Sequence, residues 1–246
     1  MSDKVLHRIF AALVFLITAL TYLSTVQPGL SFWDTGEFTA SAYLMQVPHP
    51  PGTPFFLILG RIFTMIPFAD SIGFRMNMIS VFSSAFSVLF LYLIAVKVIQ
   101  NYRKKETTSL FDNVTIYISA AIGALSFTFS DTVWANGVEA EVYANSTFFI
   151  AFVIWLMVVW NEKADEPDNE KYLIFIFYLI GLSTGVQLMS ALAIVPVVMA
   201  IYFRKYATDE VILKKTALYF VAHSVIILVI AGLMWISQRA ATPPSP

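Results

Sequence analysis

The chain has 246 residues, of which 58% are hydrophobic and 13% charged, and a soluble domain of this size could not cover so much apolar surface. The formal net charge is −1, and no basic block with interleaved aromatic residues occurs, which argues against a nucleic-acid partner. Cysteine is absent and the three histidines lie far apart, so disulfides and thiolate chemistry are excluded and a zinc enzyme is disfavoured. Composition therefore predicts an integral membrane protein.

Apolar segments predict about seven membrane-spanning helices. The first covers residues 9–26, follows Lys4 and Arg8, and is longer than the apolar part of a signal peptide, so we interpret it as an uncleaved span. The stretch 181–185 separates the fifth span from the sixth only weakly, so the fourth and fifth spans are the least certain of the seven. Residues 242–246 are rich in proline and are expected to begin a linker. The later spans are predicted at 76–98, 114–129, 143–160, 172–183, 188–203 and 216–236.

Basic residues predict the orientation of these spans. With the N-terminus in the cytoplasm, twelve of the fifteen Lys and Arg fall in cytoplasmic segments, as the positive-inside rule requires. The basic residues of the predicted outer face are then Arg61, Arg75 and Arg239. The acidic residues of that face are Asp34, Glu37, Asp70, Asp131, Glu139 and Glu141. Acidic side chains are therefore concentrated outside.

The first outer loop, residues 27–75, is predicted to contain two short helices. They cover 35–46 and 54–66, and the second begins at a proline cluster and ends at Pro67. At about 1.5 Å per residue the second helix is too short to span comfortably, and Arg61 in its middle would be costly in hydrocarbon. We therefore expect amphipathic helices that lie along the membrane face.

Asp34 and Glu37 are the candidate catalytic residues of this loop. They are three positions apart, so a helix would project both from one face, and their proximity beside Trp33 and Phe38 would raise one pKa toward that of a general base. The alternative is a capping box, with Asp34 at the N-cap and Glu37 three residues later. The two interpretations are compatible.

Three further residues of the loop are candidates for substrate binding. His49 stands between prolines that lock the backbone around it, and a functional and a structural role are equally open for it. Arg61 and Arg75 are candidates for a phosphate, because a guanidinium matches phosphate oxygens through two parallel hydrogen bonds. Both arginines could instead extend to the lipid headgroups or pair with Asp70.

The second outer loop carries another group of polar and aromatic residues. If the loop is helical, Asn136 and Glu139 share a face with Tyr143, while Glu141 points elsewhere. These side chains could form the opposite wall of a pocket, although polar loop residues at a membrane surface need no special explanation.

Three uncommon motifs appear in order along the chain. They are F-W-D-x-G-E-F at 32–38, H-P-P-G at 49–52 and V-E-A-E-V-Y at 138–143. Together they resemble the bacterial family catalogued as domain of unknown function 2723, which is related to the transmembrane protein 260 type of protein O-mannosyltransferase. The resemblance covers residues 32–206. More distantly, the chain is similar to the GT-C glycosyltransferases.

The resemblance implies a single GT-C-like transmembrane domain over 1–246, with 27–75 as its outer catalytic loop. It implies an enzyme of the bacterial inner membrane that moves a sugar, mannose, from a polyprenyl-phosphate donor to an outer-face acceptor, either protein Ser/Thr or lipid, with inversion. Its carboxylate motif falls on Asp34 and Glu37, beside Trp33, and its H-P-P motif includes His49. Gln187 stands where the family pattern has His, and family members usually continue well beyond this length.

Two other functions remain open from the sequence. A transporter would use polar groups at interrupted helices, and 181–187 is such a stretch, although no internal repeat is evident and the acids lie outside. A non-catalytic membrane protein that binds a lipid-linked glycan would carry similar pocket residues. Asp34, Glu37 and Glu139 also offer oxygen ligands, so a divalent cation, Mg²⁺ or Mn²⁺, is a possible cofactor.

Overall fold

The computed structural model describes residues 3–103, 109–206 and 209–241, and these residues form helices and connecting loops without a strand. Lys104, Lys105 and the expected linker at 242–246 lie outside the described residues, as does the side chain of Arg239. A 3₁₀ helix covers Leu188–Ala193. The α-helices are α1 Asp3–Thr25, α2 Thr35–Leu44, α3 Pro54–Met65, α4 Ile72–Arg103, α5 Leu110–Thr128, α6 Asp131–Gly137, α7 Val142–Lys163, α8 Glu170–Thr184, α9 Ile194–Lys205 and α10 Glu210–Ala241.

All seven predicted spans fall on helical segments. Within the described residues, five helical segments are long and apolar enough to cross a membrane: α1, α4, α5, α7 and Leu188–Lys205. The chain is therefore an integral membrane protein. At about 1.5 Å per residue, the 15 residues of α8 are shorter than a hydrocarbon core. Seven crossings remain a prediction.

Helix α1 starts six residues before the predicted first span, because its first turns are tied to other helices. The Tyr117 hydroxyl of α5 donates to both Asp3 carboxylate oxygens, at 2.9 and 3.0 Å. The His7 ring stacks on Tyr92 of α4 at 5.5 Å between centroids. Polar and aromatic contacts thus extend the helix beyond its apolar segment.

Helix α4 is the centre of the bundle and packs against α1, α5 and α7. Toward its start its buried face is lined by small polar residues, Ser80, Ser83, Ser84 and Ser87. Small side chains let neighbouring backbones approach closely in a membrane, and hydroxyls offer hydrogen bonds between helices. One such bond joins α7 to α4, where Asn145 Nδ2 donates to Ser83 Oγ at 3.0 Å.

The two short helices of the first outer loop are present within two residues of their predicted ends. Their rings pack edge to face, with Phe38 and Phe56 5.6 Å apart between centroids. The predicted amphipathic pattern is not confirmed for α2, because its exposed residues include Tyr43 and Leu44. That α2 and α3 lie along the membrane face remains a prediction.

Residues from Val198 onward form a second compact unit, with the end of α9 and α10. Within it the Tyr202 hydroxyl lies 3.3 Å from Thr216 Oγ1, and the Tyr202 ring stacks on Tyr206. These contacts join the end of α9 to the start of α10.

Candidate active site

The candidate site lies where the loop after α1 meets the loop before α7. The Gln27 N–H donates to the Val138 carbonyl at 3.0 Å, and Trp134 Nε1 donates to Thr25 Oγ1 at 3.0 Å. We call this end of the bundle, formed by residues 26–34, 45–53 and 130–141, the acidic end. The charge pattern of the sequence predicts that it faces outward.

Asp34 and His49 of the acidic end form a cluster with Glu37, which lies in the first turn of α2. Glu37 Oε1 accepts a hydrogen bond from the His49 backbone N–H at 2.6 Å, and Glu37 Oε2 lies 2.8 Å from His49 Nδ1. The other ring nitrogen, Nε2, lies 4.0 Å from Asp34 Oδ2. All three side chains are about half exposed, at 53%, 42% and 46% respectively. The structure therefore brings the two predicted catalytic carboxylates together with His49, one of the predicted substrate-binding residues.

The capping-box interpretation of Asp34 and Glu37 is wrong in its side-chain contacts. Asp34 occupies the N-cap position of α2, but its side chain makes no capping hydrogen bond. Both Glu37 oxygens are engaged by His49 across the loop, so Glu37 does not reach back to the N-cap. A long-range contact has replaced the local one.

The corner that carries His49 is held by a helix end elsewhere in the chain. Phe55 and Phe56 lie in the first turn of α3, and their N–H groups both donate to the Gly185 carbonyl, at 2.7 and 3.3 Å. The first N–H groups of a helix have no partner inside it, so this carbonyl replaces the side-chain cap that Thr53 does not supply. The break after α8 thus supports the His49 corner, a role that the sequence did not indicate.

Mutual hydrogen bonding shifts the pKa values of Glu37 and His49 in opposite directions. The side-chain bond to His49 is the largest cause that lowers the pKa of Glu37, and the backbone bond adds to it. The same side-chain bond raises the pKa of His49, with smaller contributions from Asp34 and Glu141. The pair therefore favours a carboxylate beside an imidazolium.

A third acidic residue, Glu141, belongs to the site, and the prediction that it points elsewhere is wrong. Helix α6 ends at Gly137 and α7 begins at Val142, so no continuous helix sets the directions of the residues between them. Glu141 is 6% exposed. Burial raises its pKa to about 7, with further contributions from the charges of Asp34 and Glu139. The signal in the sequence was the closely spaced acids of V-E-A-E-V.

For the same reason, Asn136, Glu139 and Tyr143 do not share one helical face. Asn136 and Tyr143 line a cavity of about 180 Å³ together with residues of α4 and α5. Glu139 lies instead in a separate groove of about 300 Å³. We call this the Trp33 groove; its lining residues are Gln27, Leu30, Ser31, Phe32, Trp33 and Glu139. Trp33 is 90% exposed there.

The two arginines predicted to bind phosphate donate hydrogen bonds from their guanidinium groups to main-chain carbonyls of this chain. Arg61 donates to the Tyr43 carbonyl and lies over the Tyr43 ring at 5.5 Å. Tyr43 is six residues beyond Glu37, or about 9 Å along the helix axis. Arg75 donates to the Thr64 carbonyl at 2.9 Å and to the Ala69 carbonyl. The structure therefore does not bring Arg61 into the cluster, and a phosphate role for either arginine remains a prediction.

Gln187 lies at the start of the 3₁₀ helix that follows α8. Its N–H donates to the Ser183 carbonyl at 3.1 Å, and its carbonyl accepts from Ser190 at 3.0 Å. These main-chain bonds place Gln187 in the turn that also presents Gly185 to α3. A contact between its side chain and a substrate remains a prediction.

A metal ion fits the cluster only after rearrangement. One donor atom from each of Asp34, Glu37 and His49 lies within 4.8 Å of the other two, a set that includes His49 in place of the expected Glu139. Both Glu37 oxygens and His49 Nδ1 are already satisfied by each other. A cation would have to break that pair, so we derive no reaction step through one.

The fold and the cluster define a helical integral membrane protein with a carboxylate and imidazole site at one end of its bundle. The sequence profile of the family described as the protein O-mannosyl-transferase TMEM260 N-terminal domain matches residues 34–210, and the chain belongs to this family. The predicted relation to the transmembrane protein 260 type is thereby confirmed.

Two curated relatives are similar to the chain over part of their length. The protein O-mannosyl-transferase tmem260 of Dictyostelium discoideum is 27% identical over 162 residues, which is 65% of this chain and 18% of the relative. The protein O-mannosyl-transferase TMEM260 of Mus musculus is 25% identical over 203 residues, 82% of this chain and 26% of the relative. The chain thus spans at most about a quarter of these relatives. No solved structure matches it.

Proposed function

We propose that this domain is the transmembrane core of a glycosyltransferase of GT-C type. It would transfer a sugar, mannose, from a polyprenyl-phosphate donor to a Ser or Thr hydroxyl of a protein on the outer face of the membrane. The observation that carries the proposal is the Asp34, Glu37 and His49 cluster, which lies inside the segment matched by a family whose description names protein O-mannosyl transfer.

Asp34 is the proposed general base. Within the described residues no hydrogen bond from the chain occupies its carboxylate, whereas both Glu37 oxygens are bound to His49. In the reaction Asp34 takes the proton of the acceptor hydroxyl, the acceptor oxygen forms a bond to the anomeric carbon, and the bond to phosphate oxygen breaks. The polyprenyl phosphate leaves with the electron pair, and a single displacement inverts the anomeric centre. Such a base typically accelerates a reaction by about 10²- to 10⁴-fold.

Glu37 and His49 have a positioning and electrostatic role in this proposal. Glu37 fixes the His49 ring and favours its protonated form, in which Nε2 directs positive charge toward Asp34 and the reacting groups. Trp33 and Glu139 line the Trp33 groove, where an exposed aromatic face and a carboxylate suit a hydroxyl-rich or peptide ligand. Asn136 and Tyr143 would contact substrate from the neighbouring cavity.

The test is the Asp34→Asn substitution in the full-length gene, with mass spectrometry of outer-face glycoproteins. We expect glycosylation to fall by about 10² or more, since amide nitrogen cannot accept the proton. Asp70→Asn, which changes an exposed acid outside the cluster, is the matched control and is expected to leave glycosylation unchanged. Normal glycosylation in Asp34→Asn at normal protein level would show that the assignment is wrong.

A divalent cation, Mg²⁺ or Mn²⁺, is a separate proposal for the same cluster. Transfer would be measured in purified protein before and after chelation with EDTA. A loss that one of these cations restores would support a bound metal, and unchanged transfer would exclude a metal that EDTA removes.

A further inference from the structure

The two segments that bring acids to the site are both attached to one residue of α4. Asn77 is completely buried, at 0% exposed. Its Nδ2 donates to the Gln27 carbonyl at 2.8 Å and to the Gly29 carbonyl at 2.9 Å, while its Oδ1 accepts from the Ala140 N–H at 2.9 Å. The carboxamide therefore joins segments that lie 50 residues before it and 63 residues after it.

The chemistry of these contacts is specific to asparagine. Two carbonyls face the nitrogen and one N–H faces the oxygen, so only one orientation of the amide satisfies all the groups. Aspartate would place an oxygen against two carbonyls, and leucine would remove the partner of two part-buried carbonyls and of the buried Ala140 N–H. The position thus requires both donors and an acceptor on one short side chain.

Neighbouring residues on the same face of α4 support the same two segments. A Cβ added to Gly73, one turn before Asn77, would lie 2.8 Å from the Gly29 carbonyl carbon. Ser80, nearly one turn after Asn77, has its Oγ 3.5 Å from the Glu141 carbonyl. Positions 73, 77 and 80 form one stripe along the helix, so a single face of α4 holds both segments.

The segments lead directly to the acids of the site. Residues 27–29 precede Asp34 by a few positions, and Ala140 is the residue before Glu141. Glu141 is buried and interacts electrostatically with Asp34 and His49, which lie on the first segment and on the corner that follows it. The relative position of the two segments therefore sets where the Glu141 carboxylate lies with respect to the cluster.

We propose that Asn77 is a positioning residue that sets the segment before Asp34 and the segment before Glu141 against each other, so that the buried Glu141 completes the acidic site. Its bearing on catalysis rests on the proposed glycosyl transfer, whereas its effect on the geometry does not. Asn77 contacts no reacting atom in this proposal and acts only through the two segments.

The experiment measures the distance between the two segments in the full-length protein. Because this chain has no cysteine, spin labels at Leu30→Cys and Ala135→Cys report that distance by electron double resonance, with any cysteine elsewhere in the full-length protein replaced first. We expect a broader distance distribution in Asn77→Ala and in Asn77→Asp, and a kcat for transfer at least tenfold lower in the unlabelled variants. Asn145→Ala removes another buried asparagine, whose side chain bonds to Ser83 of a neighbouring span in the part of the chain that the structure describes, and is expected to change neither.

Two results would overturn the proposal: an unchanged distribution in Asn77→Ala, or equal broadening in Asn145→Ala. If Asn77→Ala does not fold, the same distance is measured in Gly73→Ala. Its added methyl would displace residues 29–30 while leaving Asn77 in place, so an unchanged distribution there would overturn the proposal. Transfer that is absent in the unsubstituted protein would refute the proposed function alone, since the distances still test Asn77.

Discussion

At the scale of single residues, the Glu37 and His49 pair determines the charge of the cluster. The pKa of His49 is raised chiefly by its side-chain bond to Glu37, so Glu37→Gln is expected to lower the His49 pKa. The measurement is an NMR titration of the His49 ring in protein with labelled histidine. The spectrum is simple to assign because this chain has three histidines. Asp70→Asn is the control and is expected to leave the His49 titration unchanged. An unaltered His49 pKa in Glu37→Gln would show that the pair does not form.

The sign of the pH dependence follows from the same pair. The folded pKa of His49 is raised, so its contribution to stability is complete below its ordinary value of 6.5 and is lost as the pH rises through the folded pKa. The folded pKa of Glu37 is lowered, so its contribution is complete above its ordinary value of 4.5 and is lost as the pH falls through the folded pKa. The ion pair is therefore strongest between these two ordinary values.

At the scale of elements, the break between α8 and the 3₁₀ helix supports the corner of the site. Gly185→Ala would place a Cβ 2.9 Å from the Phe55 Cβ, at the point where the Gly185 carbonyl accepts two hydrogen bonds from α3. We expect this variant to lose about 1–3 kcal/mol of unfolding free energy, as overpacking usually costs. The measurement is reversible unfolding in mixed detergent micelles.

Gly181→Ala is the matched control for that substitution. Gly181 lies inside α8, and nothing stands within 4 Å of an added Cβ. Alanine in a helix interior is favoured over glycine by about 0.5–1 kcal/mol, so the control is expected to be as stable as the original or slightly more stable. Equal destabilisation of both variants would contradict the support of α3 by Gly185.

The hydrogen bonds between the Gly185 carbonyl and α3 also bear on the alternative that the protein is a transporter. The interrupted, polar stretch at 181–187 was the sequence feature that kept a transporter open. In the structure its main-chain groups bond to Phe55, Phe56 and each other, which gives the interruption a structural explanation. No observation in the described residues then favours transport over a site at the acidic end.

At the scale of the whole molecule, the charge pattern predicts that the acidic end lies on the outer face of the membrane. We expect Leu30→Cys, at the acidic end, to react with a membrane-impermeant maleimide in intact cells in which the outer face is accessible. Pro167→Cys, between α7 and α8 at the other end of the bundle, is expected to react only after lysis. The reverse pattern would place the acidic end in the cytoplasm and remove the outer-face acceptor from the proposal.

The helices of the bundle were largely predictable because their signals are local. Apolar length determines where a span can form, and prolines and charges determine where it ends, so α2, α3, α4, α5 and α7 begin and end within six residues of their predicted bounds. Asp34, Glu37 and His49 were predictable as candidates, because acids and a proline-locked histidine are unusual beside apolar spans. The residue types and their order along the chain were enough to single them out as candidates.

Only the tertiary structure decided how these residues are used. Glu37 binds His49 instead of capping its own helix, Gly185 caps a helix 130 residues earlier, and Asn77 joins residues 27–29 to Ala140. Glu141 belongs to the site because it lies buried in a loop, whereas a continuous helix was predicted to point it elsewhere. Each of these contacts joins distant parts of the chain, so no local pattern of spacing or hydrophobicity encodes it. Local sequence patterns thus predicted the membrane class, the helical segments and the residues of the candidate cluster, while the packing of α4 against the two loops decided how those residues are arranged.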